Sequence, residues 1–132
     1  MKKLVLFVTM LGAVTFALLL SSSTAGMAGT VKERAVVTFD QPVQLLDVTL
    51  KGEYLFVHDD AAMARGESCT YVYKGVTESP EKLVTSFHCI PEARSKARHF
   101  TLRSRQLPTG ITELLEFQFA GSKEGHRIPE TK

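Results

Sequence analysis

The chain lacks the short signatures that usually betray a chemistry. Its 132 residues contain no CxxC, no HxH, no HExxH, no GxSxG and no glycine-rich phosphate loop. That removes the sequence grounds for a zincin protease, an α/β-hydrolase or a P-loop enzyme. Charge of one sign is lacking too. The 16 Lys and Arg against 14 Asp and Glu argue against an acidic disordered tail and against a dedicated nucleic-acid binder. The length excludes a two-domain enzyme, a TIM barrel and a multi-span membrane protein. Cysteine is scarce, with only Cys69 and Cys89 present.

One long hydrophobic run is present, and it comes first. Lys2 and Lys3 precede an uncharged, largely apolar stretch from Leu4 to Leu20, and small polar residues from Ser21 to Ala28 follow. A positive start, an apolar middle and a small-residue end form the layout of a secretory signal peptide. Gly26 and Ala28 suit a cut after Ala28, with Ala25 as the alternative. The apolar run is at the short end of the roughly 20 residues that span a bilayer. The expectation is a secreted or periplasmic protein with residues 1–28 as signal peptide, 29–122 as one folded domain and 123–132 as a polar C-terminal tail. Loss of Lys2 and Lys3 with the signal leaves equal numbers of basic and acidic side chains.

Beyond Gly29 no stretch keeps a helical apolar period for long. Ala35–Phe39, Val43–Leu50, Glu53–His58, Cys69–Tyr73, Leu83–Ile90, Phe100–Arg103 and Leu114–Phe119 are rich in β-branched and aromatic residues and are bounded by glycine and proline. About seven short strands predict an all-β domain, a single antiparallel β-sandwich or small barrel. Alternation places Tyr54, Phe56 and His58 on one face of a strand. It places Phe87 and Cys89 together, with His88 opposite. A hairpin turn is expected at Lys51-Gly52. One or two short helical turns are expected, over Ala61–Arg65 after Asp59-Asp60, and over Pro91–Arg98 with its proline first and basic residues last.

An exported chain with two cysteines favours a Cys69–Cys89 disulfide, which closes a loop of about 20 residues worth roughly 3 kcal/mol in the chain-entropy treatment. The alternatives are two buried free thiols and metal ligation. The segment from His58 to Cys69 concentrates an imidazole, two carboxylates, a thioether and a thiol, and His88 stands beside Cys89. His58, Met63 and His88 form the candidate metal set, of a type that suits copper or zinc. His126 lies in the tail and reaches such a site only by folding back.

No nucleophile and base are placed together. Cys89 and His88 are adjacent strand residues that point apart, as do Glu113 and Glu116 at their spacing of three. The basic stretch from Arg94 to Arg105 is the one candidate surface for anionic lipid or polysaccharide. Membrane attachment is expected only through that stretch or an uncleaved signal, and no nucleic acid is expected.

The phrase Val37-Thr38-Phe39-Asp40-Gln41-Pro42-Val43, followed by Leu50-Lys51-Gly52-Glu53-Tyr54-Leu55-Phe56, resembles a set of small exported bacterial β-rich proteins of uncharacterised function. Their pattern runs T-F-x-x-P-V, then G-x-Y-x-F, and this chain departs from it at Lys51, where a small residue is usual. The resemblance implies an exported β-rich domain and carries no catalytic residue with it. The expectation is thus a non-catalytic binding or envelope-associated module with an unknown envelope or extracellular partner. A periplasmic copper- or zinc-binding protein is the alternative, and a small exported hydrolase a second one.

Overall fold

A computed structural model describes residues 31–131, and the expected signal peptide lies outside them. The fold is all-β. Eight strands follow in order: β1 (Lys32–Leu45), β2 (Val48–Asp59), β3 (Thr70–Lys74), β4 (Leu83–Phe87), β5 (Ile90–Ala93), β6 (Thr101–Gln106), β7 (Thr112–Gln118) and β8 (Glu124–Arg127). One five-residue helical turn, α1 (Asp60–Ala64), joins β2 to β3, and a 3-10 turn at Pro80–Lys82 precedes β4.

All eight strands belong to one curled sheet in the order β4-β3-β2-β1-β7-β8-β5, with β6 on the free side of β7. The sheet is mixed rather than purely antiparallel, because β1 runs parallel to the start of β7 at Val43↔Thr112 and Gln44↔Glu113. β8 takes the same edge of β7 further along, at Glu116↔Arg127, Phe117↔His126 and Gln118↔Gly125. Two strands sharing one edge bend the sheet into a half-barrel, so that β8 faces β2 across the core. The ring centroids of His58 on β2 and His126 on β8 are 4.1 Å apart.

The long β1–β2 hairpin carries the resemblance phrase and corrects two local expectations. Val43–Leu50 is not one strand, because the chain reverses at Leu46-Asp47, where Leu46 adopts φ +54°. Lys51-Gly52 is not the turn. Gly52 lies inside β2 opposite Phe39, and the pairing resumes only at Val43↔Leu50. Three residues, Asp40 to Pro42, thus bulge against Lys51 alone. Proline cannot donate to a ladder, and a bulge is where a strand tolerates it. The φ of +95° at Gly52 lets β2 follow the bend without a Cβ penalty.

Alternation delivers the core as elementary geometry requires. Tyr54, Phe56 and His58 face inward, and Phe56 is fully buried. Phe39, Phe56, Phe87, Phe100, Phe117 and Phe119 form a continuous aromatic cluster with centroid spacings from 5.2 to 6.5 Å. Leu45, Leu50, Val72 and Leu114 close it from the sides.

The chain's last third departs most from expectation. Pro91–Arg98 is not helical, because Ile90–Ala93 pairs with β8 as an outermost strand, a place where Pro91 loses no ladder bond. The expected tail, 123–132, is not loose over its described residues, because β8 lies between β5 and β7 and Gly125, His126 and Ile128 are buried. Much of the basic stretch is neutralised by acids of β7. Arg94 donates to Glu116 at 2.6 Å, Arg103 also binds Glu116, and Arg105 donates to Glu113 at 2.8 Å. Gly125 passes so close beneath that a Cβ there would meet Glu116 Oε2 at 2.9 Å.

Glu116 is buried, and its carboxyl is held below the usual carboxylate range by the Arg94 hydrogen bond, against its burial, with Arg103 assisting. A depressed carboxylate contributes stability that is complete above its unfolded pKa of about 4.3 and is lost as pH falls through the lower folded value. Denaturant titrations between pH 7 and pH 2 should therefore show a steep acid limb that Glu116→Gln flattens. Parallel limbs for the two proteins would remove Glu116 from the account.

Candidate metal centre

Four side chains from separate parts of the chain meet at one end of the half-barrel. His58 comes from the end of β2, Cys69 from the residue before β3, Cys89 from the link between β4 and β5, and His126 from β8. Strand pairing brings the first three together. His58 pairs with Thr70, and Thr70 pairs with Phe87, so the residues just beyond those pairs converge. The amide of Asp59 donates to the Cys69 carbonyl at 2.8 Å, and the Asp59 carboxylate caps α1 through Ala61 and Ala62. These bonds fix the return path from His58 to Cys69. Each of the four residues is at most 7% exposed.

Two of the distances match those between ligands of one ion. His58 Nδ1 lies 3.7 Å from Cys89 Sγ, and His126 Nδ1 lies 3.6 Å from the same sulfur. Zinc bonded tetrahedrally at about 2.3 Å to sulfur and about 2.05 Å to nitrogen separates those atoms by about 3.6 Å. Ligand atoms of His58, Cys69 and Cys89 all lie within 4.8 Å of one another. The Cys89 amide donates to Cys69 Sγ at 3.0 Å. The outer ring nitrogens face carboxylates. His58 Nε2 bonds Asp60 Oδ1 at 2.6 Å, and His126 Nε2 faces Glu33 Oε2 at 3.8 Å. His58, which offers one nitrogen inward and anchors the other on a carboxylate, has the usual support of a metal-binding histidine. His126 Nε2 is buried and has no hydrogen-bond partner.

Protonation favours the same chemistry. The Cys89 hydrogen bond holds the Cys69 thiol well below its ordinary pKa, against burial, and His58 adds to the effect. Cys89 is pushed up by that same bond and by burial. Burial opposes the charged form of His58, but its bonds to Cys69 and Asp60 outweigh burial and raise its pKa. Burial, with His58 beside it, pushes His126 down to about 4, which leaves its ring neutral near pH 7. A thiolate and a neutral imidazole are the forms that bind metal.

The metal set expected from sequence changes accordingly. His58 is in the centre. Met63 is not among these converging groups and is 36% exposed on α1. His88 is exposed, because Phe87 and Cys89 turn inward on either side of it. Cys69, Cys89 and His126 are the side chains that gather around His58. The expected Cys69–Cys89 bridge is not formed, and both residues are buried free thiols, with the Cys69 sulfur accepting from the Cys89 amide. His126 reaches the centre because Glu124–Arg127 folds back as β8 instead of forming a tail. The signal available was the inward alternation of His126 and Ile128 around the exposed Arg127. Among the described residues no helix is long and apolar enough to cross a membrane. No family model, curated protein or solved structure matches the chain, so the site rests on its own geometry.

Proposed function

We propose that the protein is an exported, non-catalytic β module that holds one zinc ion through His58, Cys69, Cys89 and His126. The observation that carries this reading is the convergence of two imidazole Nδ1 atoms on Cys89 Sγ at 3.7 and 3.6 Å, with their far nitrogens turned to carboxylates. A donor set of two thiols and two imidazoles selects zinc among divalent ions, with Cu(I) the nearest competitor. Four buried protein ligands leave no position for a substrate or an activated water, which fits a structural or storage centre rather than a hydrolase.

Metal content and thiol count settle it, on mature protein purified without chelator. The expected result is close to one zinc per chain and two thiols that react only after the metal is removed, with metal lost in a His58→Ala/His126→Ala double variant. Protein with no metal, no uptake of zinc or copper at micromolar levels and no titratable thiol would overturn the reading. That outcome would instead support a disulfide-stapled module without metal. The adjacency of the two thiols, within 4.8 Å of each other, favours this second reading.

A further inference from the structure

A second ligand set overlaps the first. His58, Glu124 and His126 each offer an atom within 4.8 Å of the other two. The Nδ1 of His126 stands between two partners, Cys89 Sγ at 3.6 Å and Glu124 Oε1 at 3.7 Å. Exposure falls along that line. The Glu124 side chain is 48% exposed, that of His126 is 1% exposed, and Cys69 is fully buried. Two further acids, Glu33 and Asp60, flank the two rings from β1 and α1. His58 belongs to both sets, and buried His126, with one ring nitrogen lacking a hydrogen-bond partner, links them through its Nδ1 contacts to Glu124 and Cys89.

We infer that Glu124 is an entry ligand: a divalent cation is held first by Glu124, His126 and His58, and then passes inward to Cys89 and Cys69. The inference rests on the metal centre proposed above. A hydrated dication cannot enter a dry pocket in one step, because shedding its water without replacement ligands is prohibitively costly. A surface carboxylate holds the partly hydrated ion as a hard oxygen donor, and the shared imidazoles stay bound while thiolates replace oxygen and water. The final site contains no Glu124 oxygen. Glu124 therefore speeds entry and exit alike and leaves the equilibrium where it was.

The test is stopped-flow uptake of Zn(II) or Co(II) by reduced, metal-free protein, paired with release to a chelator. Glu124→Gln is expected to slow uptake and release about tenfold each, with the dissociation constant held within about twofold, because the final ligand set contains no Glu124 oxygen. Glu130→Gln, which removes an equal charge from an exposed acid on the same terminal segment, is expected to leave both rates unchanged. Rates unaffected by Glu124→Gln would overturn the inference while the metal centre stands. Faster release with weaker affinity would also overturn it, by making Glu124 a resident ligand. Equal slowing by Glu130→Gln would reduce the effect to general electrostatic attraction. A parent protein that takes up no metal would remove the centre itself.

Discussion

Zinc added to the reduced, metal-free protein is expected to raise its unfolding free energy by about 4 kcal/mol at a free concentration near 1,000 times the dissociation constant. The reasoning is mass action. The four ligands converge only when β2, the β3–β4 pair and β8 are in register, so the unfolded chain offers no equivalent site. In a domain of this size each kcal/mol moves the melting temperature by about 4–8 °C, so the midpoint should climb by roughly 15–30 °C. Cys89→Ser should abolish that gain, because Cys89 Sγ is the atom on which both imidazoles converge. A serine oxygen in its place is a poor soft donor. Thermal melts of parent and variant, each with excess zinc and with chelator, make the comparison. Four coincident curves would dispose of the metal centre. A zinc shift that survives in Cys89→Ser would move the metal to other ligands.

The parts of this architecture that could be read from residues are those where local pattern and tertiary structure agree. Ala35–Phe39 and Glu53–His58 are strands by composition and by pairing, and the alternation that places Tyr54, Phe56 and His58 on one face also delivers His58 to the centre. Asp59 caps α1 as its position before an alanine-rich turn suggests. Alternation also sets Cys89 and His88 on opposite faces, and Cys89 is the one that turns to the core. The parts that could not be read depend on partners distant in sequence. Glu124–Arg127 has the composition of a tail and becomes a strand only because β7 offers an open edge beside β5. The β1–β7 contact, which sets the curl, involves two residue pairs more than 60 positions apart in the chain. His126 inherits both difficulties, since its role exists only after the sheet has closed on itself.

Phe117→Ala is expected to cost about 3–5 kcal/mol and to weaken metal binding as well. Phe117 is fully buried at the middle of the aromatic cluster, with ring centroids 5.7 Å from Phe56, 6.3 Å from Phe87 and 5.8 Å from Phe119. Truncation leaves a cavity that five neighbouring rings cannot fill without leaving their rotamers. Phe117 also forms the back wall of the centre, since its ring stacks on His126 at 5.1 Å and 25°. His126 Nε2 lacks a hydrogen bond, so ring packing is the main restraint that aims Nδ1 at Cys89. Removing the wall frees the imidazole to tilt, and zinc affinity should fall about tenfold, as it does when a group that orients a ligand is lost. Denaturant unfolding of the metal-free variant isolates the packing cost, and competition with a chromophoric chelator isolates the affinity. Val76→Ala, at an exposed position, serves as control and should stay within about 0.5 kcal/mol of the parent. A destabilised Phe117→Ala protein with unchanged zinc affinity would mean that strand β8 alone holds His126 in place. An affinity loss confined to this variant ties the aromatic core to the metal chemistry through a single ring.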